Sequence, residues 1–219
     1  RFGEGEPDAE ALEACAARAN DLMALSRERI ADELLKLLAV DDPSQTVRVM
    51  LDQAILKPVL PEIEAGAVES LRSLVSVERE AGIEADPLRR FAALLPRDPK
   101  AAEIIAARLK LSNRARKRLA CAAEPQSEAD PKASAYRAGV GCAVDRLLID
   151  GRAAEAKEIA GWSPPRLPIS GGSLIKRGVP EGPAVSRALR QIEDNWVEAG
   201  FPGGPEFEAI VSEVLASSP

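Results

Sequence analysis

The stretch Ser26-Arg27-Glu28-Arg29-Ile30-Ala31-Asp32-Glu33-Leu34-Leu35-Lys36-Leu37-Leu38 decides the fold class. Ile30, Leu34, Leu37 and Leu38 recur at helical spacing and share one face. Arg27, Asp32 and Lys36 fall elsewhere around the same cylinder. Ser26 stands where an N-cap belongs, immediately before the periodic run.

The same grammar repeats along the chain. Asp42-Pro43, Asp86-Pro87, Asp98-Pro99 and Asp130-Pro131 each combine a carboxylate that accepts from free helical N–H groups with a proline whose φ already suits the first helical position. Four helix starts are predicted there, and Ser112 predicts another. Outward from these marks, the pattern predicts a helix from Pro43 that stops before Pro58, then helices over 66–81, from Pro87 to Leu95, from Pro99 to Leu109 and from Ser112 to Ala123. The polar segment Glu124–Ala133 reads as a linker. Helices about 132–148 and 152–160 follow. Three prolines deny a helix to Ser163-Pro164-Pro165-Arg166-Leu167-Pro168, which reads as an extended tether from Trp162. Beyond it lie a predicted helix 171–177, a tight turn Gly178–Pro183, a long helix to about Ala199, and a short last helix after Pro205.

Composition agrees with an all-α fold. Hydrophobic residues are 46% of the 219, yet aromatics are 3%, so alanine and leucine carry the apolar surface. Alternating Val, Ile, Tyr and Phe runs, which a β-sandwich would need, are missing. Net charge is −6, so no global positive field draws this chain onto nucleic acid. With no histidine, Ser-His-Asp triads, Cys-His pairs and imidazole zinc sites are excluded together. Cys15, Cys121 and Cys142 are odd in number and widely spaced. They read as small core residues in a reducing compartment, which suggests a cytoplasmic location. No apolar run approaches the roughly 20 residues that span a bilayer. The chain starts Arg1-Phe2-Gly3 without Met, which suggests trimming or a piece of a longer chain.

Few motifs suggest chemistry. Gly171-Gly172-Ser173 would matter in a nucleotidyltransferase centre if an Asp-x-Asp followed, because paired carboxylates hold Mg²⁺ against a triphosphate. None follows, so the segment reads as a helix start. Asp41-Asp42, the adjacent aspartate pair, is explained by a capped helix. No phosphate loop is present. The densest basic run is Arg108, Lys110, Arg114, Arg116, Lys117 and Arg118, with the Ser112 helix start inside it. Arginines beside a helix N-terminus suit phosphate oxygens. A solvated face paired to nearby acids is the other reading. The Gly178–Pro183 turn joins two predicted helices, with Gly182 before Pro183 at a helix start; exposed N–H groups there suit a backbone phosphate, or the turn is a plain αα-hairpin.

Three segments, in order, resemble the tRNA CCA-adding nucleotidyltransferases, a family grouped with bacterial poly(A) polymerases. Arg1-Phe2-Gly3 looks like the end of that family's R-A-x-R-F-x-x-R-F-G-F stretch. Ser26–Leu38 is similar to its S-x-E-R-I-x-x-E-L-x-K-L-L helix. Leu167-Pro168-Ile169-Ser170-Gly171-Gly172-Ser173-Leu174, with Gly178-Val179-Pro180-Glu181-Gly182-Pro183 and Trp196, resembles the tail motif L-P-L-x-G-x-D-L … G-I-x-x-G-P … W, with Ser173 in place of its Asp. Arg90–Leu95 and Arg108–Ser112 look like its body helices.

The resemblance implies a neck over 1–58, a helical RNA-binding body over 59–161 and a tail module over 162–219. The catalytic Asp-x-Asp, with its Mg²⁺ and CTP or ATP, would belong to a head upstream of Arg1, leaving this part without catalytic residues, cofactor or metal of its own. It implies that Glu28, Arg29 and Glu33 support the helix carrying the nucleotide template. It also implies that Arg108, Lys110, Arg114, Arg116, Lys117, Arg118, Gly182 and Pro183 meet the acceptor arm and elbow of tRNA through the backbone. CCA addition and poly(A) addition remain open, as does a helical protein-interaction body unconnected with RNA.

Overall fold

The computed structural model describes residues 8–64, 66–126 and 128–217. Among these residues it holds thirteen α-helices and one 3-10 helix, and no strand. The Arg1-Phe2-Gly3 motif lies outside the described residues.

Local chemistry sets most helix starts where the sequence puts them. Ser26 accepts from the N–H of Arg29 and opens α2 (Arg27–Leu38). Asp86 opens α5 (Pro87–Leu94), Asp98 opens α6 (Pro99–Arg108), Ser112 opens α7 (Asn113–Ala123) and Asp130 opens α8 (Pro131–Ala138), each accepting from first-turn N–H groups. Asp42 differs by one place: it accepts from Ser44, and α3 runs Ser44–Asp52 with Pro43 ahead of the first turn. α4 (Ala67–Ala81) ends at Gly82 in the left-handed region.

Two expectations need correction. The single helix expected over 132–148 is two, α8 and α9 (Val140–Ile149), because Gly139 at φ 88° leaves helical geometry between them. The expected short last helix is the 14-residue α13 (Gly204–Ser217). α1 (Ala9–Ala17) and a 3-10 helix (Ala19–Ala24) precede α2, and α10 (Ala153–Ala160) follows α9.

Three apolar clusters hold the helices. The first runs from Ala31 on α2 to Ala123 on α7 and so joins residues on both sides of position 58. The second packs α4 and α5 against α8, α9 and α10. The third lies among α11 (Gly171–Lys176), α12 (Pro183–Glu198) and α13, and takes in Ala133 of α8. α11 reaches α12 closely because residue 171 is glycine: a Cβ there would meet Val185 Cγ1 at 3.0 Å. Ser170 caps α11 by accepting from the Ser173 N–H, and their hydroxyls lie 3.0 Å apart, so the cap comes from Ser170 and not from Ser173.

The few aromatic residues are concentrated where the last helices dock. Tyr136, Trp162, Trp196, Phe201 and Phe207 form a chain of ring contacts at 5.1–6.3 Å. Phe201 accepts φ 63° to seat its ring, while Trp196 Nε1 donates to Pro202 O at 2.8 Å. The Tyr136 hydroxyl donates to Glu193 Oε1 at 2.6 Å. Residues 162–168, expected to be extended, contain no helix.

Burial, and then the bond to Glu193, push the Tyr136 phenol up to about 12. The chain has one tyrosine, so its phenolate absorbance reports this contact alone. A titration midpoint near 12 is expected, falling in Glu193→Gln but staying above the ordinary ~10 because the burial remains. The unfolded phenol ionises first, near ~10. The stability this contact carries is therefore intact below that pH and is lost as pH rises through the folded value. A midpoint unmoved by the substitution would mean that Glu193 does not hold the phenol proton.

Candidate nucleic-acid interface

The basic run is held on α6 and α7, which pack on each other, but its members meet different fates. Arg108 is spent on Glu62, both nitrogens donating at 2.6 Å, and on the Val59 carbonyl. Glu62 lies below the ordinary carboxylate value, chiefly through that bond. Arg116 reaches Glu103 at 3.2 Å and Asn113 at 3.5 Å.

Arg118 turns inward. It meets Asp145 at 2.6 and 2.9 Å and Asp86 at 2.8 Å. Its pKa is raised, first by Asp145. For Asp86, burial pushes the carboxyl up, but the Arg89 N–H and the Arg118 guanidinium outweigh it, and the net shift is downward. Arg114 and Lys117 are exposed, and no ion pair engages either among the described residues.

Those two free cations border a groove of about 670 Å³ with Ser112, Ala138, Gly141 and Cys142. One wall is α7. The other is the junction of α8 and α9, where α9 begins without a side-chain cap and Gly141 has open space around it. Uncapped N–H groups at a helix start add positive potential beside Arg114 and Lys117. The sequence reading missed this opposite wall, because Gly139 and Gly141 are 25 or more residues from Arg114; the Gly-x-Gly inside an apolar run was the available signal.

Lys110 occupies a special place. It sits at φ 55° just after α6, with its N–H donating to Ala107 O and the next N–H to Ala106 O. That helix ending normally takes glycine. Its ammonium meets Glu28 at 2.9 Å, so the α6–α7 corner is tied to the first turn of α2. Glu28 lies below its ordinary value through its own backbone N–H first and then Lys110.

Glu28, Arg29 and Glu33 are all exposed on α2, with Glu33 paired to Lys36 at 2.8 Å. Arg29 and Glu33 rim an apolar groove of about 710 Å³ floored by Leu34, Leu37, Met50 and Leu60. Leu25 on its border and the adjacent Met23 are nearly half exposed. Gly182, at φ 102°, and Pro183 form an exposed turn ahead of α12. No ion pair, hydrogen bond or shared cavity joins that turn to the basic run among the described residues.

The cysteine expectation is overturned. Cys121 at the end of α7 and Cys142 at the start of α9 form a disulfide with Cα atoms 6.0 Å apart, and Cys15 is a free, exposed thiol. Folding α8 back brings together residues 21 apart, which spacing alone conceals. The cysteine count therefore no longer argues for a reducing compartment. No helix among the described residues is long and apolar enough to cross a membrane. Nor do three or more metal-ligating side chains cluster among the described residues.

An all-helical body with a basic groove between helix ends is the class that this geometry defines. Residues 6–66 match a family model described as "Probable RNA and SrmB- binding site of polymerase A". Over 213 residues, 90% of the chain, it is 26% identical to the mitochondrial CCA tRNA nucleotidyltransferase 1 of Mus musculus, and equally to that of Homo sapiens. The chain spans about half, 48%, of the length of these curated relatives. The chain is thus distantly similar to CCA tRNA nucleotidyltransferases over most of its length, and its residues 6–66 to a probable RNA-binding region of poly(A) polymerases.

Lys110→Gly and Lys110→Ala both remove the pair with Glu28, but only glycine is unstrained at φ 55°. The glycine variant is expected to exceed the alanine variant by about 1 kcal/mol in urea unfolding. Equal stabilities would mean that position 110 carries no backbone strain.

Proposed function

We propose that this chain is the RNA-holding part of a tRNA nucleotidyltransferase that builds or repairs the 3′ CCA end, with its catalytic head supplied upstream. The observation that carries the reading is the pair of unengaged cations, Arg114 and Lys117, at a groove between two helix ends. In a chain of net charge −6, neighbouring arginines are neutralised by carboxylates while these two are left facing solvent. A phosphate backbone is the polyanion such a groove accepts: guanidinium and ammonium meet its oxygens, and helix N–H groups donate to them. With no aromatic side chain in the groove, recognition runs through shape and phosphates. Arg108 and Arg118 then act indirectly, by holding α6 and α7 in place. Lys110 and Arg116 stay within reach of RNA by exchanging an exposed carboxylate for a phosphate. Gly182 and Pro183 offer a second, separate phosphate contact on the tail.

The apolar groove along α2 supports the second half of the proposal. Exposed Leu25, with Met23 nearby, beside Leu34 and Leu37 suits a helix of the proposed head, with Arg29 and Glu33 steadying it at the rim and Glu28, paired to Lys110, holding the first turn of α2. In this reading the chemistry, Mg²⁺ and the CTP or ATP all sit in that head, and this chain supplies no reacting group.

Two measurements test the proposal. The purified chain is expected to bind tRNA with a salt-dependent affinity, and Arg114→Ala/Lys117→Ala is expected to lower the slope of log K against log salt by about 1–2. An unchanged slope would make the groove a solvated face and favour a protein-interaction body. Supplied with tRNA lacking CCA, Mg²⁺, CTP and ATP, the chain is expected to incorporate no nucleotide. Measurable incorporation would overturn the assignment of chemistry to an upstream head.

A further inference from the structure

We infer that Cys121–Cys142 is a redox-active disulfide, opened reversibly by an external thiolate, that fixes the width of the basic groove between α7 and the α8–α9 junction. Both sulfur-bearing residues border that groove and both are partly exposed, so a small thiol has access. Each sulfur also stands where a thiolate is stabilised. Arg146 donates to the Cys121 carbonyl at 2.8 Å and lies 3.4 Å from Cys121 Sγ, its other partner being Glu124. Cys142 lies in the first turn of α9, whose N–H groups have no side-chain cap. A guanidinium and a helix N-terminus both favour thiolate over thiol, and stabilising the reduced form makes a disulfide easier to reduce.

The exchange is balanced with two molecules of a thiol such as glutathione. One thiolate attacks Cys142 Sγ and forms a mixed disulfide. The S–S electron pair leaves on Cys121, beside Arg146. A second thiolate attacks the glutathione sulfur of that mixed disulfide, releasing oxidised glutathione and leaving the Cys142 thiolate at the head of α9. Two electrons pass in all, and reoxidation reverses both steps.

What the bond constrains is specific. It closes a loop containing the segment 124–130 and α8, and α8 carries Tyr136 and Arg137, which meet Glu193 and Asp194 of α12. Ala138 and Gly141 on the groove wall lie beside the bridge, on either side of the helix break at Gly139. Opening the bridge removes the covalent tie between this wall and Arg114 and Lys117. The consequence for RNA grip rests on the function proposed above; the redox step does not.

The oxidised chain is equilibrated in glutathione buffers, thiols are mass-tagged, and amide exchange of residues 138–143 is followed in both states. Reduced glutathione at the level of a cellular pool is expected to open the bridge, where a purely structural disulfide resists it. Residues 138–143 are expected to exchange faster once it is open. Arg146→Gln is expected to need about threefold more reduced glutathione at fixed oxidised glutathione, because about one unit of lost thiolate stabilisation is tenfold in an exchange constant that carries the square of the glutathione concentration. Should that variant not fold, Cys142→Ser serves: its Cys121 is expected to alkylate faster than the exposed Cys15 of the same molecule. A bridge that resists glutathione, exchange unchanged on opening, or a Cys121 slower than Cys15 overturns the inference. If these hold and tRNA binds in neither state, the fault lies with the RNA reading alone.

Discussion

Five helices meet at one buried chain of charges, and the geometry of the basic face depends on it. Arg90 donates to Glu78 at 2.9 Å; Arg89 bridges Glu78 at 2.6 Å and Asp145 at 3.0 Å; Arg118 joins Asp145 to Asp86. Glu78 and Asp145 are 2% and 1% exposed. Arg90 also donates to the carbonyls of Leu38, Val40 and Asp41, closing the end of α2. Three guanidiniums answer three carboxylates, so no charge is left alone away from water. Such a network stabilises less than an apolar core of equal volume, because desolvation offsets most of its Coulomb energy. Its effect is orientation: α2, α4, α5, α7 and α9 have one mutual arrangement in which every group is satisfied.

That arrangement explains why Arg114 and Lys117 point outward. Arg118, one turn after Arg114 and on the same face of α7, takes up Asp145 and Asp86, so those carboxylates are already spent and Arg114 stays exposed. Arg146 and Arg97 hold the far end of α7 by donating to the carbonyls of Cys121 and Ala122. The free cations are those left over when structural demands on a basic helix have been met. An arginine's contribution to RNA binding therefore cannot be read from its sign alone.

Much of the fold was legible in the sequence, and the basic site less so. Caps are local: a serine or aspartate and the N–H groups it serves lie within three residues, so Ser26, Asp86, Asp98, Ser112 and Asp130 declare their helices without reference to the rest. The break at Gly139 was not declared, because the apolar spacing runs on across it as one helix and only the backbone at Gly139, at φ 88°, divides it. Arg89-Arg90 inside an apolar helix was the visible trace of the buried network, but its partners lie up to 56 residues away.

The sequence by itself determined most of the helices and their starts, the absence of imidazole chemistry and the likeness to an RNA-binding family, because each depends on residue type at short spacing. Tertiary structure alone decided which of six basic residues are spent and which are free, that Cys121 meets Cys142, and that five aromatic rings converge where the last helices dock. Those outcomes depend on distances between residues remote in sequence, and such distances are set only when the helices pack.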